Sequence, residues 1–248
     1  ISRADRVILA GDHCQLPPTI KCIEAARGGL GRTLLEKVVL HKPETVSLLK
    51  IQYRMHEDIM RFPSRWFYHD ELEAAPEVKY RGILDFDTPV SWIDTSELDL
   101  QEKAVAEGTG RLNTGEAEVL VRELKNYMER IGIRRILEEH IDFGVISPYR
   151  AQVHYLRHLL KKEPFFRPCR RLITVHTVDG FQGQERDVIM ISLVRANEKG
   201  QIGFLRDLRR MNVAITRARM KLLILGEAVT LTRHPFYREL YEYIGGLR

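Results

Sequence analysis

The stretch Val188-Ile-Met-Ile-Ser-Leu-Val194 is an almost continuous apolar run. Such a run is typical of a central strand in a parallel sheet, because helices cover both faces of that sheet. Helix-length segments separate it from three other short apolar strands, predicted at Phe143–Ile146, Leu172–Val175 and Leu222–Leu225. The sequence therefore predicts an α/β fold with a mainly parallel central sheet and helices on both faces.

Outward from this core, helical spacing predicts helices from Ser147-Pro148 to about Lys162, at Leu208–Arg217 and at Phe236–Ile244. Asn113, with Glu116 three residues later, predicts a capping box at the start of a helix that ends near Ile131. Near the amino terminus we predict a short buried strand at Arg6–Gly11, a loop at Asp12–Pro18 and a helix at Gly31–Leu40. The elements predicted next along the chain are a strand at Val46–Ile51, a helix at Met55–Tyr68 interrupted near Pro63, a strand at Val90–Ile93 and a polar loop at Gln101–Gly110.

Composition limits the class of protein. The 248 residues include 44% hydrophobic residues and carry a net charge of +5, which excludes a disordered tail, a collagen-like repeat and a coiled-coil rod. No apolar run is long enough to span a membrane, no signal peptide is recognisable, and the start at Ile1 suggests a piece of a longer protein. Three cysteines without ligand spacing predict buried thiols, a cytoplasmic, reducing location and no metal site; His13 beside Cys14 lacks further ligands.

Four polar loops are candidates for chemistry, and we expect them at the carboxyl ends of strands, where ligands bind in open parallel sheets. The first and second are Gly11-Asp-His-Cys-Gln-Leu-Pro-Pro18 and Gln52-Tyr-Arg-Met-His56. Gln15 could orient a water or a phosphate oxygen, Tyr53 could stack on a base, and the guanidinium of Arg54 suits phosphate. Each of these two loops taken alone is better explained by an ordinary turn or a packed ion pair.

The third and fourth loops are richer in polar groups. Thr174 to Arg186 places two glycines around Phe181-Gln182, which lets the backbone approach a ligand closely. Arg206 to Arg219 carries five arginines against one acid, and Arg210, Asn212 and Arg217 could not all be buried unpaired. A solvated basic surface is the alternative for the fourth loop.

Two weaker features indicate nucleic acid. The turn Ser147-Pro-Tyr-Arg-Ala-Gln152 begins a helix, and helix amino termini bind phosphate. A basic cluster surrounds Phe165 and Phe166, whose rings could stack on single-stranded bases; its members are Lys161, Lys162, Arg167, Arg170 and Arg171.

Taken together, these segments resemble superfamily 1 helicases of the up-frameshift-like branch, which have two RecA-like motor domains. The matching stretches, in order, are GDHCQLPP, QYRMH, SPYRAQ, TVDGFQGQE and NVAITRAR. By this resemblance Gln15 senses the γ-phosphate of ATP, Arg54 and Arg217 act on it as arginine fingers, and Tyr53 stacks on the adenine. Gly183 and Glu185 correspond to positions near the nucleotide, and the nucleic-acid strand would lie along Ser147, Pro148, Tyr149, Thr177 and Val178.

The sequence lacks other parts of that machinery. No G-x-x-x-x-G-K-[ST] occurs, and Asp70-Glu71 does not follow a buried strand as the family's magnesium-binding Asp-Glu pair does. We therefore expect residues 1–46 to be the remnant of a first RecA-like domain and residues 47–248 to be a second, P-loop-NTPase-type RecA-like domain. ATP and Mg²⁺ would bind in the full-length protein, and this chain alone would hold neither.

The resemblance implies the carboxyl-terminal motor half of an ATP-dependent helicase or translocase, inactive as an ATPase alone. Its partners would be single-stranded DNA or RNA and the first RecA-like domain of the same protein, with no membrane. A RecA-like module that binds nucleic acid without a motor is the alternative. A small-molecule α/β enzyme has little support, because no nucleophile–base pair is recognisable.

Overall fold

The computed structural model describes residues 5–18, 20, 22–105 and 110–247. The chain divides into two compact units, Ile1–Leu49 and Lys50–Arg248. The assignment of the first unit to the remnant of another domain stays a prediction.

The first unit is helical where it is regular. Its elements are α1 (Ile23–Ala25), a π-helical turn (Ala26–Leu30), α2 (Leu34–His41) and a 3₁₀ turn (Pro43–Thr45). The predicted helix near Gly31–Leu40 is confirmed as α2. It begins at a capping box in which Thr33 Oγ1 accepts from Glu36 N at 3.1 Å and Thr33 N donates to Glu36 Oε2 at 2.6 Å.

The predicted buried strand at Arg6–Gly11 is wrong. The segment is irregular, and the side chain of Ile8 is 94% exposed. A strand needs a hydrogen-bonding neighbour, and the described residues of this unit contain no strand at all. The loop predicted at Asp12–Pro18 is confirmed.

The second unit contains every strand among the described residues. The strands are β1 (Ile51–Gln52), β2 (Glu73–Ala74), β3 (Val90–Asp94), β4 (Lys103–Ala104), β5 (Arg111–Leu112), β6 (Phe143–Ser147), β7 (Ile173–Thr177), β8 (Arg186–Ser192) and β9 (Ala218–Gly226). The helices are α3 (Glu57–Phe67), α4 (Pro76–Lys79), α5 (Thr114–Ile131), α6 (Ile133–Glu138), α7 (Arg150–Lys162), α8 (Val178–Phe181), α9 (Leu208–Ile215), α10 (Ala228–Leu231) and α11 (Pro235–Gly245).

Five of these strands form one parallel sheet in the order β3-β9-β8-β6-β7. The predicted apolar strand is confirmed as β8, which lies in the middle of the sheet and is buried from Asp187 to Ser192. The predicted α/β class is therefore confirmed.

Helices cover both faces of the sheet. Val145, Met190 and Leu223 share one face and belong to the same buried cluster as residues of α5 and α7. On the other face Gly144 lies under Phe181 of α8. The two are so close that a Cβ at Gly144 would stand 2.9 Å from the Phe181 ring. The missing side chain lets this helix approach β6 closely.

Three predicted details are corrected. Of the predicted strand at Val46–Ile51 only Ile51 is strand; together with Gln52 it forms β1, which pairs in parallel with β2. Helix α3 continues through Pro63, since its buried side chains pack against the rest of the unit. The predicted loop at Gln101–Gly110 contains β4, paired with β5, and its residues 106–109 lie outside the described part of the chain.

The start of α5 is half of the predicted capping box. Asn113 Oδ1 accepts from Glu116 N at 2.9 Å, as expected. The Glu116 carboxylate does not return to Asn113; it accepts from Ser192 Oγ at 2.6 Å and from Val194 N at 2.9 Å.

Among the helices of the described residues, none combines the length and apolar character needed to cross a bilayer.

Candidate functional site

The predicted site residues of the second unit lie at opposite edges of the parallel sheet. Ser147 and Thr177 end β6 and β7 and pair with each other in register at the carboxyl edge. Glu185 and Arg217 directly precede β8 and β9, at the amino edge. The expectation that all four loops lie at carboxyl ends is therefore wrong for these two residues, because each connection after a strand must return the chain to the amino edge before the next parallel strand.

Arg54, Glu185 and Arg217 come together at the amino edge. Arg54 Nε is ion-paired with the Glu185 carboxylate, and Arg54 Nη1 donates to Thr216 O at 3.3 Å. Arg217 is 3% exposed and donates to Val213 O at 3.0 Å, to Gln184 O at 3.1 Å and to Thr216 Oγ1 at 3.1 Å. Both guanidinium groups therefore meet at Thr216, and the orientation of Arg217 is fixed by the backbone.

The charge of Glu185 is held in place by its cationic neighbours. Burial raises the pKa of this carboxyl group, but the hydrogen bond and charge of Arg54, with the charges of Arg219 and Arg217, outweigh burial and leave the pKa below its usual range. Glu185 is therefore ionised at neutral pH. The pair with Arg54 is about two-fifths exposed, so an anionic ligand could compete with Glu185 for this arginine.

Arg219 organises the cluster, although it is not among the predicted site residues. Its guanidinium lies 3.0 Å from Asp142 Oδ1, 3.0 Å from Asp187 Oδ1 and 3.9 Å from Glu185 Oε1. Burial raises the pKa of Asp187, and Arg219 opposes this shift. The available signal was its position in NVAITRAR, two residues beyond Arg217.

The turn that carries Tyr53 and Arg54 is shaped by Gln52. Gln52 Oε1 accepts from Arg54 N at 2.9 Å and from Met55 N at 2.7 Å, and Gln52 Nε2 donates to Met55 O at 2.8 Å. These bonds leave the Tyr53 side chain 68% exposed. Gly183 is also exposed and adopts φ 79°, a left-handed conformation that favours glycine.

Gln15 belongs to the first unit, where its Nε2 donates to Asp12 Oδ2 at 2.7 Å. Asp12 Oδ1 also accepts from Cys14 N at 2.9 Å, so the carboxylate caps this turn. Ligand atoms of Asp12, His13 and Cys14 lie within 4.8 Å of one another. Burial and then Asp12 raise the pKa of Cys14 to about 11, which keeps the thiol protonated and makes it a poor metal ligand.

The three thiols are free, and their environments differ. Cys169 is buried, as predicted. Cys14 is half-buried and Cys22 is exposed, so the prediction of buried thiols is wrong for Cys22.

At the carboxyl edge, the residues predicted to contact nucleic acid fall into a buried group and a partly exposed group. The side chains of Ser147, Tyr149 and Val178 are buried, whereas Pro148 and Thr177 are partly exposed. The side chain of Tyr149, the residue before α7, does not cap this helix, so it accepts no hydrogen bond from the backbone N–H groups of the first turn. Pro148 and Thr177 therefore present side-chain surface at this edge, and Thr177 carries a hydroxyl group that can donate a hydrogen bond.

The predicted stacking role of the Phe165-Phe166 pair is wrong for Phe166. A 3₁₀ turn at Pro164–Phe166 places the ring of Phe166 in the core, edge-to-face with Phe165 at 5.3 Å. Lys125 Nζ covers the Phe165 ring at 5.4 Å. The surrounding cationic side chains remain exposed; they are Lys161, Lys162, Arg167, Arg170 and Arg171.

Comparison with known proteins identifies the family. The sequence profile described as AAA domain matches residues 30–229. An uncharacterised ATP-dependent helicase of Methanocaldococcus jannaschii is 36% identical over 98% of this chain and 35% of its own length. The DNA-binding protein SMUBP-2 of Rattus norvegicus is 35% identical over 97% of this chain and 24% of its own length.

The chain thus spans about a quarter to a third of the length of these relatives. A solved C-terminal domain of a possible DNA helicase from Lactobacillus plantarum is similar over 71% of this chain and 88% of that one, with 15% identity and a TM-score of 0.39. The chain belongs to the AAA domain family, within the superfamily 1 helicases.

Proposed function

We propose that the chain is the carboxyl-terminal motor half of an ATP-dependent helicase or translocase that acts on single-stranded nucleic acid. The observation that supports this most is the meeting of Arg54 and Arg217 beside Glu185, at an edge of the sheet opposite to Thr177. One edge then serves the nucleotide and the other serves the strand. The relatives' names, which include an ATP-dependent helicase and a DNA-binding protein, agree with both roles.

The residues at the amino edge fit the phosphates and base of a nucleotide. Arg54 and Arg217 offer planar, always-charged donors to a γ-phosphate, and the exposed Tyr53 ring offers a surface for adenine. Gly183 and Glu185 complete the part of the proposed nucleotide site that lies in the second unit, with Glu185 holding Arg54 until a phosphate competes for it. For Gln15, in the first unit, the proposed role is to sense the γ-phosphate. ATP supplies the phosphoryl group and Mg²⁺ neutralises its charge when bound.

The chain provides only part of that site. The sequence contains no P-loop, and Glu71 of the Asp70-Glu71 pair is engaged with Lys50 at 2.8 Å. We propose that the P-loop and the magnesium ligands belong to a first RecA-like domain, of which residues 1–46 are the end, and that this domain is needed for ATP to bind. Closure around ATP would bring Arg54 and Arg217 to the γ-phosphate, and reopening would advance the second domain along the nucleic-acid strand.

Two proteins, the purified chain and the full-length protein, test whether ATP hydrolysis needs residues outside this chain. We expect the purified chain to show no ATP turnover, and the full-length protein to hydrolyse ATP faster when single-stranded DNA or RNA is added. Turnover by the chain alone would contradict the proposal. Full-length protein that binds nucleic acid but has neither a P-loop nor ATPase activity would favour the non-motor binding module instead.

Replacing Tyr53 tests the adenine contact. In the full-length protein, Tyr53→Ala should weaken ATP binding by about tenfold, since stacking on a base contributes on the order of 1–3 kcal/mol. Tyr53→Phe keeps the ring and should bind ATP like the wild type. Binding of a fluorescent ATP analogue measures both, and Tyr80→Ala, which removes another exposed ring, is the control. Equal affinity of Tyr53→Ala and wild type would refute the contact.

A further inference from the structure

We propose that an arginine-lined cavity beyond the carboxyl ends of β6 and β8 binds one phosphate of a single-stranded nucleic acid, with a neighbouring base stacked on Phe204. The cavity is about 420 Å³ and is lined by Arg111, Tyr149, Arg195, Gln201, Gly203, Phe204 and Arg206. The inference rests on the proposed function and adds a docking point outside the sequence motifs, apart from Tyr149.

The cavity continues the edge at which the strand is proposed to lie. Tyr149 follows the end of β6 by two residues, and Arg195 follows the end of β8 by three. The strands are parallel and β6 lies between β8 and β7, so the cavity is on the same edge as Thr177. A chain of nucleotides that passes Thr177 and Pro148 would reach the cavity next.

The floor of the cavity is a fixed cation. Arg195 is 4% exposed, its Nε lies 2.8 Å from Glu102 Oε2, and its Nη1 donates to Tyr149 Oη at 3.5 Å. The backbone comes close to this pair at Gly203, which adopts φ 55°; a Cβ there would stand 2.7 Å from Arg195 Nη1 and 2.9 Å from Tyr149 Oη. Glycine at this position therefore keeps the space that the guanidinium and the phenol occupy.

The charge in the cavity is not balanced. Arg111 Nε lies 3.4 Å from Oε1 of the same Glu102, so one carboxylate serves two guanidinium groups. Arg206 is exposed and forms no ion pair with any carboxylate in the part of the chain that the structure describes. Three arginines against one acid leave an excess of two positive charges, and a guanidinium binds phosphate by two parallel donors.

The ring beside this charge indicates a single strand. Phe204 is 43% exposed, and its centroid lies 5.6 Å from that of Tyr149 at 48°. An exposed aromatic ring next to cationic groups binds unstacked bases without sequence preference. In a duplex the bases are stacked on each other, so their faces are not available to this ring.

Two substitutions in the full-length protein separate the phosphate contact from the stacking contact. Binding of labelled oligo-thymidylate and oligo-uridylate is measured by fluorescence anisotropy over a salt titration. Arg206→Ala should weaken binding roughly tenfold at low salt and reduce the slope of log K against log salt by about 0.7, the value for one lost phosphate contact on a single strand. Phe204→Leu should weaken binding by about tenfold at every salt concentration, with the slope unchanged, since the ring carries no charge.

A matched control distinguishes this site from general surface charge. Arg134→Ala removes an exposed arginine from α6, which precedes the amino end of β6, and should leave both affinity and slope unchanged. If Arg206→Ala and Phe204→Leu bind like the wild type, the cavity is not the docking point, although wild-type binding would still support the proposed function. If the wild type binds neither oligonucleotide, both proposals fail.

Discussion

Replacing Arg217 with alanine in the full-length protein should reduce ATP turnover by roughly 10³–10⁵-fold, the contribution of an arginine finger in phosphoryl transfer. The guanidinium is fixed by Val213 O, Gln184 O and Thr216 Oγ1, so little reorganisation is needed before it acts on a developing charge. Binding of single-stranded DNA and RNA should be nearly unchanged, because Thr177 and its neighbours lie at the other edge of the sheet.

The same hydrogen bonds create a structural role that the experiment must separate from catalysis. Arg217→Ala leaves buried carbonyl groups with fewer partners, which costs about 1–3 kcal/mol of stability. Arg217→Lys keeps the charge without the planar fork and should also be strongly impaired in turnover. The decisive readouts are an unchanged Kd for ATP, an unchanged circular dichroism spectrum and a lowered kcat.

Arg209→Ala serves as the matched control. It removes an arginine from α9, the helix that precedes Arg217, where Arg209 pairs with Asp207 at 3.3 Å. Turnover of this variant should resemble that of the wild type. A kcat for Arg217→Ala equal to that of the wild type would refute the finger role.

The central strands could be predicted because their environment is uniform. Residues of β8 are buried on both faces, so the strand is a continuous apolar run. Such a run can be recognised from its own sequence, without knowing which strands lie beside it. The segment Arg6–Gly11 has the same local character and is exposed and irregular. Strand formation there depends on a hydrogen-bonding neighbour elsewhere in the chain, which local pattern does not contain.

Whether a predicted stacking ring can reach a ligand depends on its burial in the folded chain. Tyr53 and Phe166 both looked suitable for stacking, yet Tyr53 is exposed and Phe166 packs in the core. The apolar cluster that receives Phe166 is formed by α5 and α7 together with the sheet, so its position follows from tertiary packing. Composition and spacing identified the basic segment around it but not the direction of the ring.

The burial of Glu116 could have been predicted from the spacing of residues along its helix. It lies four residues before Leu120, in the same i+4 row as Leu124 and Met128, which are all fully buried. An acid in that row must be buried as well. Its carboxylate is bound by Ser192 Oγ and Val194 N, and Val194 has φ 71°, unusual for a β-branched residue. Glu116 therefore holds the segment that leads to Arg195.

Titration of Glu116 should make the protein less stable as pH rises. Burial raises the pKa of this carboxyl to about 7 from an ordinary value of 4.5, although hydrogen bonds from Ser192 and Val194 oppose the shift. The folded state therefore holds the proton more tightly than the unfolded state. Its stabilising effect is complete below pH 4.5 and is lost as pH rises through 7, which amounts to about 3 kcal/mol at 1.36 kcal/mol per pKa unit.

Urea unfolding across this pH range, compared between the wild type and two variants, isolates the effect from all other titrations. Glu116→Gln cannot ionise, so its free energy of unfolding should lack the decrease of about 3 kcal/mol that the wild type shows between pH 4.5 and 7. Glu118→Gln, on the exposed side of the same helix, should follow the wild-type profile. If Glu116→Gln shows the same decrease as the wild type, the buried carboxyl is not the group that titrates, and the charge that holds Val194 is present at every pH in the range.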